Sequence, residues 1–327
     1  MLEQIPRGGL ATALFLAAIV GGSLLGSFAP GTAGLVAEFT DPLILVLVGA
    51  LFFTLRLDGL SALRRAPQTM LLAIGMNFLV IPFVAFTLTA LLPDDALRLG
   101  VLIYCLAPCT DWFLGFTRLA GGDTTTGAAL IPLQMVLQLA LYPLWLALFA
   151  GQHVESTMGE TATTLLTWFV LPAAIGVAAR IALHLIAPAE RREQILATTD
   201  RSMPLVIAAV ILVIFAGNVG TILAAPARFA GVLVVVFLFF VAIFVIGEGV
   251  ARLFRLRYAE HALLTMTTSA RNAPLMLALT TIALPDQPVV HAAIILGMLI
   301  EFPHLTVITQ LLQRARRHPR AAVSIQG

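Results

Sequence analysis

The chain alternates between long apolar stretches and short polar breaks along nearly its whole length. A helix needs about 20 predominantly apolar residues to cross the hydrocarbon core of a bilayer. Ten stretches are of roughly this length, and prolines, glycines, aspartates and arginines separate them. The pattern predicts ten membrane-spanning helices, at 8–28, 41–57, 68–92, 97–119, 126–150, 162–186, 203–223, 229–253, 259–284 and 288–312.

The composition agrees with a membrane protein. Hydrophobic residues make up 60% of the 327 residues and charged residues only 11%, whereas soluble domains carry about 25% charged residues. No long polar block interrupts the chain, so we expect a single integral membrane domain over 1–327 in a lipid bilayer. The net charge of +2 is too small to indicate nucleic-acid binding.

The arginines predict the orientation, because cytoplasmic loops carry an excess of positive charge. If the N-terminus is inside, almost all arginines lie at the cytoplasmic ends of the ten helices. Arg98 and Arg228 then lie outside, and Arg271 lies within a span. We therefore expect a multi-pass protein of the plasma membrane with both termini in the cytoplasm.

Ten spans divide into two sets of five, in residues 8–150 and 162–312. Because five is odd, the second set must enter the membrane inverted relative to the first. The fourth span of each set is also interrupted, by Pro108 in span 4 and by Arg271 and Asn272, with a proline close behind, in span 9. Matching interruptions in inverted halves point to a transporter's binding site near the bilayer midplane. The alternative is that each proline merely kinks a packed helix.

A charged residue inside a membrane span is costly in free energy, and it usually has a partner or a function. Asp111 and Arg271 lie at the two interruptions, so we expect them to pair where spans 4 and 9 cross. The pair can simply lock the crossing, or a proton or an anionic substrate can compete for one member. Cys109 offers a thiolate, which is a ligand for soft ions, although a buried cysteine can also be plain packing. Cys105 is four residues away, a poor spacing for a disulfide on one helix.

Several features carry a resemblance to a known family. Asp123 ends an LAGGD run fourteen residues after Cys109, Gln138 follows at a matching distance, and Glu301 begins the run EFP in span 10. The whole chain resembles the bile-acid/arsenite transporter superfamily, and these features are similar to its arsenite-efflux permease branch. The resemblance implies a panel of spans 1, 2, 6 and 7 and a core of spans 3–5 and 8–10, in which the broken helices 4 and 9 cross.

Span 9 departs from both branches of the superfamily. The arsenite branch carries a glutamate where this chain has Pro274. The sodium–bile-acid branch carries an acid and a Gln-Asn pair, where this chain has Arg271-Asn272 and no acid from Thr265 through Leu284. A guanidinium would occupy the space that a sodium ion otherwise fills. We therefore expect a proton rather than sodium as the coupling ion, with Arg271 as a built-in cation.

The first hypothesis is a secondary transporter, a proton antiporter that exports arsenite or antimonite by alternating access. The residues expected to bind the substrate are Cys109, Thr110, Arg271, Asn272 and Gln138, and those expected to carry the proton or coupling ion are Asp111, Glu301 and Ser269.

The second hypothesis is an organic-anion transporter, sodium-coupled or uncoupled, in which Arg271 holds the anion. The third is a membrane-embedded enzyme, but nothing in the sequence aims His291 or His304 at Cys109. No metal-ligand spacing or nucleotide-binding loop is present in the sequence, so we expect no cofactor, no metal and no enzymatic activity.

Overall fold

The computed structural model describes residues 7–54, 66–110, 112–149, 170–284 and 286–317. These residues form helices joined by short connections, and the one β-type pairing among them is an isolated bridge between Pro108 and Arg271. The helices are α1 (Arg7–Phe28), α2 (Pro30–Ala37), α3 (Thr40–Thr54), α4 (Pro67–Thr89, with a π-helical turn at Met76–Val80), α5 (Asp95–Leu106), α6 (Phe113–Ala120), α7 (Thr124–Phe149), α8 (Leu171–Ile186), α9 (Ala189–Ala224), α10 (Pro226–Leu253), α11 (Tyr258–Ser269), α12 (Ala273–Ala283) and α13 (Pro288–Arg317).

Five of the helices in the described ranges are long and apolar enough to cross a membrane, namely α4, α7, α9, α10 and α13. The pair α2 and α3, bent by 42°, gives a sixth if it is counted as one span. The described part of the chain is therefore helical, as in a multi-pass membrane protein. Parts of the predicted second and sixth spans lie outside the described residues, and the count of ten stays a prediction.

The outer faces of the helices are apolar. Leu79, Phe83 and Leu185 expose 74%, 73% and 82% of their surface, which would be costly in water for side chains of this size. In a bilayer the same side chains face hydrocarbon at no cost. The exposed apolar faces therefore agree with a protein surrounded by lipid.

The helices pack in two groups. One group contains α1, α2, α3, α8 and α9, with α9 against α1, α2 and α3, and with α8 against α3. The second group contains α4 to α7 and α10 to α13, in which α13 packs against α5, α6, α10 and α12. Contacts of α9 with α13 and of α3 with α12 join the two groups.

Polar residues fix the ends of the helices in the second group. Asp94 caps α5, because its Oδ1 accepts a hydrogen bond from the Leu97 N–H at 3.0 Å. The same carboxylate forms an ion pair with Arg228 in the first turn of α10. Burial alone would raise the pKa of Asp94, but the hydrogen bonds from Leu97 and Arg228 lower it below its ordinary value.

Glycines allow α1 and α9 to approach closely. A Cβ atom at Gly26 would lie 2.4 Å from the Ala216 carbonyl oxygen, and one at Gly22 would lie 2.4 Å from that of Leu212. Without water to drive helices together, membrane helices gain contact energy where small residues let the backbones meet. The α1–α9 contact therefore depends on these two glycines.

The substitution Gly26→Ala tests this contact. We expect it to lower the free energy of unfolding by about 1–3 kcal/mol, because a new methyl group would overlap backbone atoms of α9. Thermal unfolding of the purified protein in detergent measures the change. The control is Gly220→Ala on α9, where nothing lies within 4 Å of the added atom. Equal stability of the two variants would contradict the close contact.

Candidate functional site

Two segments of the second helix group are interrupted where the sequence predicted breaks. The first ends as a helix at Leu106 and resumes at Phe113, and the second ends at Ser269 and resumes at Ala273. Both helix breaks are therefore present where the sequence predicted them, whereas the numbering of these segments as spans 4 and 9 stays a prediction.

A proline accompanies each interruption, although proline alone does not end a helix in this chain, since α9 and α13 each contain one. A residue before proline is disfavoured in the helical region, and Ala107, before Pro108, is extended at φ −101° and ψ 111°. Pro274 lies in the first turn of α12, where its missing N–H is tolerated. A continuous helix would require Pro274 to bond to the carbonyl of Ala270, which it cannot do.

The two interruptions cross and satisfy each other's backbone groups. The Cys109 N–H donates to the Ala270 carbonyl at 3.1 Å, and the Asn272 N–H donates to the Ala107 carbonyl at 2.9 Å. Within a bilayer an unpaired backbone group costs several kcal/mol, so irregular backbone is tolerated only where protein groups satisfy it. The reciprocal hydrogen bonds provide this at the crossing.

Arg271 lies at the centre of the crossing and is fully buried. Its Nη1 donates to the Cys105 carbonyl at 3.0 Å. Its Nη2 lies within hydrogen-bond distance of Asn77 Oδ1 (2.9 Å) and of the carbonyls of Thr267 (3.1 Å) and Thr268 (2.7 Å). Only Nε has no partner. The guanidinium therefore binds the last turns of both α5 and α11.

This position suits a cation. The C-terminus of a helix carries about half a negative charge on its unsatisfied carbonyls. Two such ends, those of α5 and α11, meet at the guanidinium, so their combined partial charge is about one negative charge. The guanidinium of Arg271 balances it.

The expected pairing of Asp111 with Arg271 stays a prediction, because Asp111 lies outside the described residues. Among the residues that are described, no carboxylate forms a salt bridge with this guanidinium. Glu301 is the acid that contacts Arg271, and it accepts a hydrogen bond from the main-chain N–H of Arg271 rather than from the guanidinium.

Glu301 is fully buried on α13 and accepts three hydrogen bonds. Its Oε1 accepts from the Arg271 N–H and from Trp112 Nε1, both at 2.9 Å, and its Oε2 accepts from the Tyr104 hydroxyl at 3.0 Å. Trp112 is the residue before α6, and Arg271 lies two residues before the start of α12. The carboxylate thus lies near two helix N-termini, where partial positive charge favours an anion.

Cys109, Thr110 and Asn272 lie together at the crossing. Cys109 is fully buried and does not form a disulfide with Cys105. Asn272 Nδ2 donates to Thr110 Oγ1 at 3.0 Å, while Asn272 Oδ1 has no partner. The structure therefore brings three of the predicted substrate ligands to one place.

Several buried polar atoms near the crossing have no hydrogen-bond partner. Both amide atoms of Gln138 are unpaired, and so are the hydroxyls of Thr265 and Ser269. Gln134 donates to Thr267 Oγ1 at 2.8 Å but leaves its own oxygen unpaired. Buried polar groups in proteins nearly always have partners. This concentration of exceptions between α7 and α11 indicates a place for a ligand.

The LAGGD run has a structural role. Gly121 ends α6 with a left-handed φ of 78°, which favours glycine. Asp123 then caps α7, accepting hydrogen bonds from the N–H groups of Thr125 (3.0 Å) and Thr126 (3.1 Å). The motif on which the resemblance partly rests thus builds a helix–helix turn.

The sequence analysis missed three residues of the site, Asn77, Tyr104 and Trp112. Asn77 was detectable as an amide in the apolar interior of its span. Tyr104 and Trp112 carried no such signal, because aromatic residues are common in apolar segments and their polar atoms matter only once Glu301 is near. Among the described residues, no group of three or more His, Cys, Asp or Glu side chains could hold a metal ion.

The fold and the site together define a polytopic membrane protein with two broken helices crossing around buried polar groups. The sequence model of the Sodium Bile acid symporter family matches residues 42–225, more than half of the chain. The chain belongs to this family, whose members are transporters and not enzymes.

Three relatives are each described as "P3 protein". The chain is 31% identical to the protein of Homo sapiens in an alignment of 157 residues, which covers 43% of this chain and 32% of the relative. It is 30% identical to the protein of Bos taurus over 162 residues (45% and 34%) and 34% identical to that of Mus musculus over 111 residues (33% and 23%). The chain therefore matches about a third or less of each relative's length.

Proposed function

We propose that the chain is a secondary transporter built from two inverted repeats of five spans, residues 8–150 and 162–312. The helix bounds support this. The half-helix over 95–106 corresponds to that over 258–269, a shift of 163 positions at both ends. The second half-helices α6 and α12 end at 120 and 283, again separated by 163.

Contacts between the two halves also support the repeats. A twofold axis requires that each contact between two residues has a matching contact between their counterparts, 163 positions away in the other half. The hydrogen bond from Cys109 to Ala270 is matched by that from Asn272 to Ala107. Two further pairs agree: the contact of Gln134 with Thr267 is matched by that of Gly297 with Tyr104, and the contact of Gly100 with Val290 by that of Gly127 with Leu263.

In this proposal the first helix group is the panel and the second is the core. Cargo is held at the crossing, and the core rocks against the panel to open the site to either side. Phe15 of α1 packs against the crossing, with its ring 5.7 Å from that of Trp112. The proposed orientation has both termini in the cytoplasm.

Arg271 is proposed to act as a permanent cation in place of a coupling sodium ion. In broken-helix transporters, the C-terminal ends of half-helices commonly coordinate the coupling cation. Here the guanidinium already binds the terminal carbonyls of both half-helices. This one observation carries the proposal, because a sodium ion at the same carbonyls would have to displace a buried arginine.

The cargo proposed first is arsenite or antimonite, exported by proton antiport. Both nitrogen ends of the Arg271 fork are engaged with protein oxygens, so the guanidinium is poorly placed to hold an anion. Uncharged As(OH)3 fits better, with Cys109 as its sulfur ligand: the thiol replaces one hydroxyl group on arsenic, and that hydroxyl leaves as water with the thiol proton. Thr110, Asn272 and Gln138 supply hydrogen bonds, and the proton is carried by an intramembrane acid, Asp111 or Glu301, with Ser269 as a further ligand.

A second candidate is the transport of an organic anion. The unpaired Nε of Arg271 favours it, because this N–H can still donate to a carboxylate or sulfonate. The description of the matching family, which names bile acid, also favours it. If proteoliposomes containing the protein take up a carboxylate but do not export arsenite, this second candidate is the correct one.

Sodium replacement tests the role of Arg271. We expect export of arsenite from proteoliposomes to proceed at the same rate when choline replaces sodium, because the chain supplies its own cation. In the variant Arg271→Gln the site loses this charge, and we expect the residual transport to require sodium. Arg252→Gln is the control, since Arg252 is 79% exposed at the end of α10. A wild-type protein that needs sodium would refute the built-in cation.

The two cysteines give a matched test of the cargo. We expect Cys109→Ser to abolish arsenite resistance in a host that lacks its own arsenic exporters, because the hydroxyl is a poor ligand for trivalent arsenic. Cys105→Ser, a change of equal size at an equally buried position, should retain resistance. Immunoblots of membranes establish equal expression. Resistance that is equal in both variants would remove the thiol of Cys109 from the mechanism.

A further inference from the structure

We infer that the crossing has two chemically different sides. On the side at Glu301, called the closed side, both carboxylate oxygens are hydrogen-bonded to the protein. On the side at Gln138, called the open side, both amide atoms are unpaired. Glu301 is a positioning residue that fixes the two broken helices, and Gln138, its counterpart in the other repeat, presents its amide to the cargo. The inference rests on the proposed repeats and transport function, and it assigns different roles to two residues at equivalent positions of those repeats.

The closed side is defined by the hydrogen bonds of Glu301. Its carboxylate joins α13 to the end of one half-helix through Tyr104, to the start of the next through Trp112, and to the second broken span through the Arg271 N–H. Every neighbour donates, and both carboxylate oxygens are used. An acid whose two oxygens are occupied in this way holds its neighbours in position.

The sequence makes room for this arrangement. Gly297 lies one turn before Glu301 on α13, and a Cβ atom there would lie 2.8 Å from the Tyr104 ring. Any larger residue would push the ring away and move the hydroxyl from Glu301. The glycine and the tyrosine therefore act together to bring one hydrogen bond to the carboxylate.

The open side follows from the shift of 163 positions. Residue 301 corresponds to 138, and Arg271, whose N–H binds Glu301, corresponds to Pro108. Proline has no N–H, so Gln138 has no equivalent backbone donor to bind. Tyr104, which donates to Glu301, corresponds to Thr267. The hydroxyl of Thr267 accepts a hydrogen bond from Gln134 and does not bind Gln138. Gln138 is consequently fully buried with both amide atoms unpaired.

An unpaired buried amide destabilises a protein unless something binds it. The Gln138 amide can donate through its nitrogen and accept through its oxygen. This combination suits a hydroxyl group, which also donates and accepts. The chemistry therefore points to a neutral cargo with several hydroxyl groups, such as arsenous acid, and Gln138 is a residue that determines specificity.

The closed side is tested by a double-mutant cycle on the purified full-length protein. We expect Glu301→Gln and Tyr104→Phe each to lower the melting temperature. The double variant should be less destabilised than the sum of the single variants, because each change disrupts the same contact between residues 301 and 104. We also expect Glu301→Gln to retain the pH dependence of transport. Additive effects, or a pH dependence lost without any loss of stability, would overturn the positioning role.

The open side is tested by Gln138→Met, which removes the amide at similar volume. We expect an unchanged or higher melting temperature, because an unpaired polar group is replaced by an apolar one. The arsenite concentration for half-maximal transport should rise about tenfold, the effect of one lost hydrogen bond. A lower melting temperature, or an unchanged half-maximal concentration, would contradict the assignment.

Failure of the proposed cargo is distinguishable from failure of this inference. If the wild-type protein moves no arsenite, the proposed substrate is wrong, and the melting temperatures alone decide the two roles. A stable Gln138→Met variant and a non-additive Glu301–Tyr104 cycle would then support the open and closed sides for another cargo. A destabilised Gln138→Met variant would overturn the open side whatever the cargo is.

Discussion

The structure depends on how the backbone groups of two broken helices are satisfied inside a membrane. Each break releases carbonyl and N–H groups that water cannot reach, and each break alone would be too costly to persist. The crossing solves this by exchange, since the Cys109 and Asn272 N–H groups each bond to a carbonyl of the other segment. Each interruption is therefore satisfied by the other.

The charges at the crossing follow from the way in which the broken helices meet. Four half-helix ends meet at the crossing, two with partial negative and two with partial positive charge. Arg271 binds the carbonyls at the negative ends, and Glu301 lies at the positive ends. The chain thus supplies both a cation and an anion where a transporter of this architecture can use mobile ions. Other buried polar atoms, those of Gln138 and Ser269 among them, remain unpaired, and we propose these as the atoms that bind a cargo.

The breaks were predictable because their cause is local. Pro108 and Pro274 each prevent a helical hydrogen bond, and they indicated the interruptions because polar residues, Arg271 and Asn272 among them, lie beside them. The partners of Arg271 were not predictable, because they are main-chain carbonyls and a distant amide, Asn77, brought near only by packing. Glu301 was identified as an intramembrane acid, but its contact with a residue 30 positions away depends on the packing of α13.

The family resemblance was likewise informative on the fold and less informative on the substrate. Membership in the family was correct, and the family model covers residues 42–225. The LAGGD run, however, caps α7 through Asp123, a role that the fold requires whatever the cargo is. A motif that builds a turn carries little information on substrate, so the choice between metalloid and anion rests on Cys109 and on the engagement of Arg271.

The most direct test of the account is an experimental density map of the protein in lipid nanodiscs, prepared in sodium-containing buffer. The account predicts interrupted helices at 107–112 and 270–272, with the Arg271 guanidinium bound to the carbonyls of Cys105, Thr267 and Thr268 and no ion between them. Continuous helices through these residues would contradict it. So would an Arg271 side chain turned away from the crossing, with a sodium ion in its place.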